Sequence, residues 1–346
     1  MVQIVIEDPT HFKVVLSNFN AQFTNFDLSL HGGTSWLYNI FLKNFKDSIE
    51  KAAQNALNTQ VSTAVNTVIN NALQTLDLQV PIGTYGVMFD STLQSVQNTP
   101  SLVMTVGTAG RLFAKGYPDY SGSPSAMPYT IGSDKMMEVF VSDYTLNTAG
   151  FAFNQVGMFN FLVTKDLLPS VISWVFNTTN LQFFIPQLYS KYPNCGLQID
   201  MTVANPPTVT IAQNVGAEMS VIGEAIFQVI QPNNKTVVNA FGLDLNVLLD
   251  VEAGIVGNNI TATLSFKSAN VTVGFSTIGS LDVSLLSSIV TFLFQYGIVP
   301  IGNMFAKQGI PIPAVDGLTL QNPVVVYQNG YFAVRSDFTF VPPSNL

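Results

Sequence analysis

The sequence predicts an α+β fold built from long antiparallel strands and at least one long helix. Apolar and polar residues alternate through extended segments that short turns separate, which is typical of antiparallel sheets. Apolar residues also recur every three or four positions from Trp36 to Leu73, which indicates one amphipathic helix about 55 Å long. A helix of this length requires an equally long apolar surface to cover it.

The N-terminal third is predicted to contain strands on both sides of this helix. Residues 1–30 alternate as half-buried strands do, and the break His31-Gly-Gly ends the pattern before the helix. Residues 85–95 and 101–110 return to the alternation of strands. Lys115–Ser133 is rich in Pro, Gly and Ser and has almost no apolar period, so we predict a linker between two halves there.

The second half is predicted to be an antiparallel meander. Alternating residues run through 208–230, 236–256 and 260–275, with turn residues in QPNNK and GNN between these segments. A strand of about 12 residues would be about 40 Å long, so the predicted sheet is elongated. The stretch SDYTLNTAG, residues 142–150, interrupts a further region predicted to be strand, and Asp143 and Asn147 are expected to hydrogen-bond the local backbone at a turn.

Two segments without Asp, Glu, Lys or Arg, Leu167–Ser190 and Val283–Ala306, exceed the ~20 residues that span a bilayer. Pro169, Pro186 and Pro300 interrupt them, which favours short helices that lie on the sheet as lids over a spanning role. The second segment and the long helix each follow a strand and a glycine break, which predicts two related halves. Two unrelated strand-to-helix junctions would give the same pattern.

The composition disfavours several classes of function. The chain has 346 residues, a net charge of −8 and 13 Lys and Arg without a basic run, which argues against nucleic-acid binding. Only two histidines, His11 and His31, and none of the common catalytic or phosphate-binding motifs occur, so we predict a protein without enzymatic activity, metal or cofactor. A hydrolase that uses Asp244 and Asp250 is the enzymatic alternative that the sequence leaves open.

The single cysteine, Cys195, cannot form a disulfide within the chain, and the first residues lack the pattern of a signal peptide. Four glycosylation sequons fit a secreted chain, although an Asn-rich and Thr-rich sequence gives a similar number by chance. The candidate sites are Asn177, Asn234, Asn259 and Asn270.

Residues 134–169, DKMMEVFVSDYTLNTAGFAFNQVGMFNFLVTKDLLP, closely resemble the start of the C-terminal domain in one protein family. This family includes bactericidal permeability-increasing protein, lipopolysaccharide-binding protein and the plasma lipid transfer proteins. The resemblance continues in order and spacing over most of the chain, through the long helix, LQTLDLQV, YPNCGLQI and GIPIPAVDGLTLQNPVVVYQNGYFAV.

The resemblance implies an elongated, boomerang-like molecule of two related halves joined by a central sheet, each half a highly twisted antiparallel sheet wrapped against helices. Residues 1–114 would be the remnant of an N-terminal lipid-binding barrel, 115–133 the linker, and 134–346 the C-terminal barrel. Few residues precede Trp36, so the N-terminal half is expected to be incomplete, and Ser62 stands where mammalian members have a disulfide cysteine.

The resemblance further implies an apolar pocket that binds phospholipid acyl chains for lipid carriage or transfer, outside the cell or in the secretory pathway, with peripheral contact to a membrane. The alternative is a secreted defence protein that recognises lipopolysaccharide or perturbs membranes. Each pocket residue taken singly could equally be ordinary core. The predicted lining residues are Leu181, Phe184, Ile185 and Leu188 on a first helix and Ile289, Phe292, Leu293 and Tyr296 on a second.

Overall fold

The computed structural model describes residues 2–8, 11–16, 19–20, 22–23, 35–74, 77–98, 104–127, 134–232, 236–312 and 318–340. The fold is α+β, as the sequence predicts. The helices are α1 (Ser35–Thr63), α2 (Asn70–Gln74), α3 (Asp143–Gln155), α4 (Pro186–Lys191), α5 (Val283–Leu293) and α6 (Val299–Ala306). The strands are β1 (Val2–Asp8), β2 (His11–Leu16), β3 (Gln79–Ile82), β4 (Val87–Asp90), β5 (Leu93–Asn98), β6 (Met104–Thr108), β7 (Arg111–Ala114), β8 (Met137–Ser142), β9 (Phe161–Val163), β10 (Gly196–Val203), β11 (Thr208–Ala212), β12 (Gly216–Ile230), β13 (Val237–Val256), β14 (Asn259–Ser276), β15 (Ile310–Pro311), β16 (Leu318–Gln328) and β17 (Tyr331–Phe340).

The chain forms two compact units. The first contains Met1–Leu78 and Thr92–Ala109, and the second contains Gln79–Ser91 and Gly110–Val341. In the first unit, α1, a π-helical turn (Ala64–Ile69) and α2 form one continuous helix, which confirms the helix predicted from the apolar period. The hairpins β1–β2 and β5–β6 complete its described elements. The predicted domain limits at residues 114 and 134 stay predictions.

The second unit is built on one large antiparallel sheet with the strand order β15-β14-β13-β12-β10-β9, and β11 also pairs with β12. The strands β12, β13 and β14 have 15, 20 and 18 residues, which confirms the predicted long meander. Along β13, the buried residues Leu243, Leu245, Val247, Leu249 and Val251 alternate with more exposed ones. Because successive side chains of a strand point to opposite faces, these buried residues form one apolar face, which lies toward the helices.

Irregular pairing bends this sheet. The register shifts between Phe227 and Gln228 and again between Gly242 and Leu243, and such bulges increase the local twist of a strand. Gly242 is needed at this point, because a Cβ there would lie 2.4 Å from the ring of Phe275. A glycine therefore lets two neighbouring strands approach where the sheet curls.

The structure corrects the strand predicted around SDYTLNTAG, because Asp143–Gln155 is the helix α3. Ser142 caps this helix by accepting a hydrogen bond from the Thr145 amide at 3.3 Å, and Asp143 lies in the first turn, where a negative charge is favourable. The region 208–230 is likewise two strands, β11 and β12, and Gly216 begins the second with a φ of 95°.

The first predicted lid is also different in the structure. Leu167–Ser190 is irregular, with short 3₁₀ turns at Lys165–Leu167 and Ser173–Phe176, and only the short α4 is α-helical. The second predicted lid is helical but not short, because α5, a π-helical turn (Phe294–Ile298) and α6 form one continuous helix of 24 residues that Pro300 does not interrupt. Among the described residues, this 24-residue stretch alone has the length and apolarity of a membrane-spanning helix. The core helix of a soluble protein can have the same length and apolarity.

Three helix asparagines bind the backbone of a neighbouring strand in the same two-point manner. The Asn303 side chain accepts from the Leu264 amide at 2.7 Å and donates to the Leu264 carbonyl at 2.9 Å. Asn147 binds Val209 through the same pair of atoms, and so does Asn70 with Val14 in the first unit. Each amide supplies the donor and the acceptor that a neighbouring strand would supply, so it satisfies both backbone groups of the strand residue that it binds.

We expect Asn303→Asp to lower the free energy of unfolding by about 1–3 kcal/mol. A carboxylate cannot donate to the Leu264 carbonyl and adds a charge at a part-buried site. Chemical denaturation of the two proteins measures this difference. The control is Asn246→Asp, the same change at an exposed position of β13, and an equal loss of stability in both variants would contradict the role assigned to Asn303.

Candidate functional site

The second unit contains a small apolar cavity between the curled sheet and the α5 helix. Its volume is about 10 Å³, which is about the room that one water molecule needs. Ten side chains line the cavity and all of them are apolar. They are Val163, Ile199, Met201, Ala225, Phe227, Leu245, Val290, Leu293, Phe294 and Ile298.

The sheet contributes one wall through strict alternation. Ile199 and Met201 lie two residues apart on β10, and Ala225 and Phe227 lie two apart on β12, so each pair points to the same face. The register places Ile199 opposite Phe227 and Met201 opposite Ala225. The ring of Phe227 also stacks on that of Phe241, with a centroid distance of 4.5 Å, which supports this wall from the next strand.

The helix contributes the opposite wall. Val290, Phe294 and Ile298 follow one another at intervals of four residues and, with Leu293, form one stripe along α5 and the π-helical turn. Asp282 caps the start of α5 by accepting from the Ser284 amide at 2.9 Å and the Ser284 hydroxyl at 2.7 Å. These hydrogen bonds lower the pKa of Asp282 below its ordinary value, because they stabilise the carboxylate.

The irregular segment that precedes α4 packs across the helix. A Cβ on Gly297 would lie 2.8 Å from the Ile172 side chain and 2.9 Å from that of Leu168. Glycine at this position therefore permits close contact between the segment and the π-helical turn. Leu168 and Ile172 are buried in the same apolar core as the cavity residues.

The eight predicted lining residues differ in burial and in contact with the cavity. Leu181, Ile185, Leu188, Ile289 and Leu293 are buried in this core, and among them only Leu293 lines the cavity. Phe292 is partly buried, whereas Phe184 and Tyr296 are 37% and 46% exposed. Leu181, Phe184 and Ile185 precede α4 rather than lying on it, because the first predicted helix is mostly irregular.

The more exposed residues of the set belong to an aromatic surface cluster with Trp174. The centroid of the Trp174 ring lies 6.4 Å from that of the Phe184 ring and 6.2 Å from that of the Phe292 ring. The centroids of the Phe292 and Tyr296 rings are 5.1 Å apart. Trp174 itself is 41% exposed. The structure thus separates the predicted set into core, one cavity residue and this surface cluster.

The cavity residues that sequence reasoning missed come mainly from the strands. The alternation on β10 and β12 marks Ile199, Met201, Ala225 and Phe227 as members of a buried face, and this signal was available. It does not show which buried residues border a cavity, because that depends on how distant strands pair.

The other candidate residues lie away from the cavity. Asp244 and Asp250 are on the face of β13 opposite its buried leucines, and Asp250 binds Lys267 at 3.0 Å. Burial raises the pKa of the Cys195 thiol. Among the described residues, no cluster of His, Cys, Asp and Glu could hold a metal ion.

Three candidate glycosylation sites have described positions, and Asn234 lies outside the described residues. Asn270 is exposed on β14, whereas Asn177 and Asn259 are partly buried. The Asn177 side chain accepts from the Thr179 amide at 2.8 Å, and the Asn259 side chain donates to the Gln308 carbonyl at 3.4 Å. Use of these sequons stays a prediction.

These features define a class of α+β proteins in which a curled antiparallel sheet closes against helices around an apolar interior. The chain belongs to the LBP / BPI / CETP family, whose C-terminal domain profile matches residues 106–340. This confirms the family predicted from the sequence.

Known relatives are similar over nearly the whole chain. A BPI/LBP family protein of Arabidopsis thaliana is 25% identical over 97% of this chain and 68% of its own length. Bactericidal permeability-increasing protein of Sebastes schlegelii is 27% identical over 97% of this chain and 71% of its own. Lipopolysaccharide-binding protein of Mus musculus is 24% identical over 95% of this chain and 66% of its own length. The chain thus spans about two thirds of these relatives.

The fold is also that of a solved relative. A crystal structure of lipopolysaccharide binding protein matches 99% of this chain and 74% of its own chain, with a TM-score of 0.59 and 21% sequence identity. At this identity the match supports the fold and not a particular ligand.

Proposed function

We propose that this protein binds phospholipid acyl chains between the curled sheet and α5, as a non-enzymatic lipid carrier or transfer protein without a cofactor. The observation that carries this proposal is the cavity itself, whose ten lining side chains are all apolar. Such a lining binds hydrocarbon by removing it from water and offers no group that could fix a polar substrate. Family membership supports the same function, because relatives are named for binding a glycolipid.

Binding requires the cavity to widen. A volume of about 10 Å³ has room for one water molecule and not for an acyl chain. The contacts between α5 and the sheet are apolar, so an acyl chain can replace them without leaving a hydrogen bond unmade. Each methylene buried in this way contributes about 0.8 kcal/mol, so a long chain can offset the cost of separating the helix from the sheet.

A neutral headgroup fits this chain better than a polyanionic glycolipid. The net charge is −8, and four basic side chains of the second unit are paired with carboxylates. Lys267 binds Glu218 and Asp250, Arg111 binds Asp90 and Asp119, and the other two pairs are Lys135–Asp337 and Arg335–Glu138. We propose lipopolysaccharide recognition as the second candidate only because relatives carry that name. We propose an extracellular location on the same ground, the relationship to these proteins.

Mass spectrometry of lipids extracted from the purified protein tests the proposal. We expect phospholipid in about one-to-one ratio with protein, and a folded protein without lipid would contradict the proposed function. Binding to lipopolysaccharide at low and high salt separates the second candidate, because recognition through charge weakens steeply with salt and acyl-chain burial does not.

A further inference from the structure

The irregular segment between β9 and α4 exposes several large apolar side chains. Phe183 is 84% exposed, Val171 is 66% exposed and Leu167 is 54% exposed. Single exposed apolar residues are common on protein surfaces, but a contiguous group of them marks a binding surface. Here they alternate with the buried residues Leu168 and Ile172, so the segment has one side in the core and one side in solvent.

This group is continuous with the aromatic surface cluster. Phe184, the neighbour of Phe183, contacts Trp174, and Trp174 contacts Phe292 on α5. The residue after Phe292 is Leu293, which lines the cavity. The exposed apolar surface and the cavity therefore share one helix.

Several polar groups of the segment form hydrogen bonds within the protein. The Asn180 amide donates to the Trp174 carbonyl at 2.7 Å, and the Ser173 hydroxyl donates to the Ser170 carbonyl at 3.1 Å. Buried Thr178 exchanges two hydrogen bonds with the backbone of Cys195. Internal satisfaction of this kind is what insertion into lipid demands, whereas a protein partner gains specificity from free donors and acceptors.

We infer that this surface, from Leu167 to Phe184 together with Phe292 and Tyr296, docks on the interfacial region of a neutral phospholipid bilayer. Aromatic rings prefer this region of a membrane, and the segment has no charge to desolvate. The net charge of −8 disfavours anionic headgroups, so the fitting surface is phosphatidylcholine. This docking role rests on the proposed function, because it places α5 beside the source of the acyl chain.

The test is flotation of the protein with phosphatidylcholine vesicles. The double variant Val171→Gln/Phe183→Gln should bind at least about tenfold more weakly at both low and high salt, because it removes two side chains from the apolar surface. Both side chains are mostly exposed, so the core stays intact. The matched control is Met136→Gln/Val256→Gln, at residues that are 63% and 68% exposed elsewhere in the second unit, and it should bind like the natural protein.

Tryptophan fluorescence gives a second readout, since the chain has only Trp36 and Trp174. In a Trp36→Phe background, vesicles should shift the Trp174 emission to shorter wavelength, and brominated lipid should quench it. Equal flotation of both double variants, or no flotation of the natural protein, would overturn the inference. Self-association that the Val171→Gln/Phe183→Gln variant abolishes, without vesicle binding, would overturn it in favour of contact between copies.

The extracted lipid distinguishes this inference from the proposed function. If the Val171→Gln/Phe183→Gln variant keeps its bound lipid but does not float, docking and cavity are separate and the inference stands. If the natural protein floats but contains no lipid, the docking surface stands and the proposed cavity function fails.

Discussion

Replacing Ala225 by leucine should remove bound phospholipid from the purified protein. Ala225 is buried on β12 and lines the cavity between the sheet and α5. The additional carbon atoms would occupy the space along which an acyl chain has to enter, without adding charge. Overpacking costs about 1–3 kcal/mol, so we expect a folded protein whose lipid content, measured by mass spectrometry, falls by at least about tenfold.

The control for this prediction is Ala114→Leu. Ala114 is equally buried, in a separate apolar cluster of the second unit around Val87 and Phe89. The Ala114→Leu variant should lose about as much stability as the Ala225→Leu variant but keep its bound lipid. Equal lipid loss in both variants would show that general destabilisation, and not a filled cavity, is responsible.

Phe241→Ala should cause the largest loss of stability, about 3–5 kcal/mol in the free energy of unfolding. Phe241 is fully buried and stacks on Phe227, with the two rings inclined by only 14°. Truncation would leave a void behind a cavity wall and remove the favourable ring contact. Urea denaturation followed by circular dichroism measures this loss.

Phe305→Ala is the matched control for Phe241→Ala. Phe305 lies near the end of α6 and is 41% exposed, so its truncation should cost about 1 kcal/mol or less. A loss for Phe241→Ala no greater than that for Phe305→Ala would mean that the sheet does not depend on the stacked pair.

Periodicity was sufficient for the longest elements. The helix from Ser35 to Gln74 and the strands β12 to β14 repeat their pattern often enough that local exceptions do not matter. The pattern failed at residues 143–155, where densely spaced apolar residues satisfy a strand and a helix alike. There the informative sequence signal was the cap residue Ser142, and the structure shows Thr145, Thr148 and Ala152 buried at helical spacing.

The cavity could be predicted only in part, because its walls depend on pairing between distant strands. Val163 lies opposite Ile199, which lies opposite Phe227, and no local pattern specifies this register. The helical wall of the cavity was easier to predict from the sequence, because the apolar stripe of α5 identified Leu293. The segment before α4 was harder, because its conformation depends on tertiary contacts such as those at Gly297.

The central claim is that acyl chains bind between α5 and the inner face of β10 and β12. Photo-crosslinking with a phosphatidylcholine that carries a diazirine near the end of one acyl chain tests it most directly. We predict labelled peptides from Gly196–Val203, Gly216–Ile230 and Val283–Ile298, including Met201, Phe227 or Phe294. Labelling confined to peptides that contain none of the ten cavity-lining residues, with the bound lipid still present, would contradict the account.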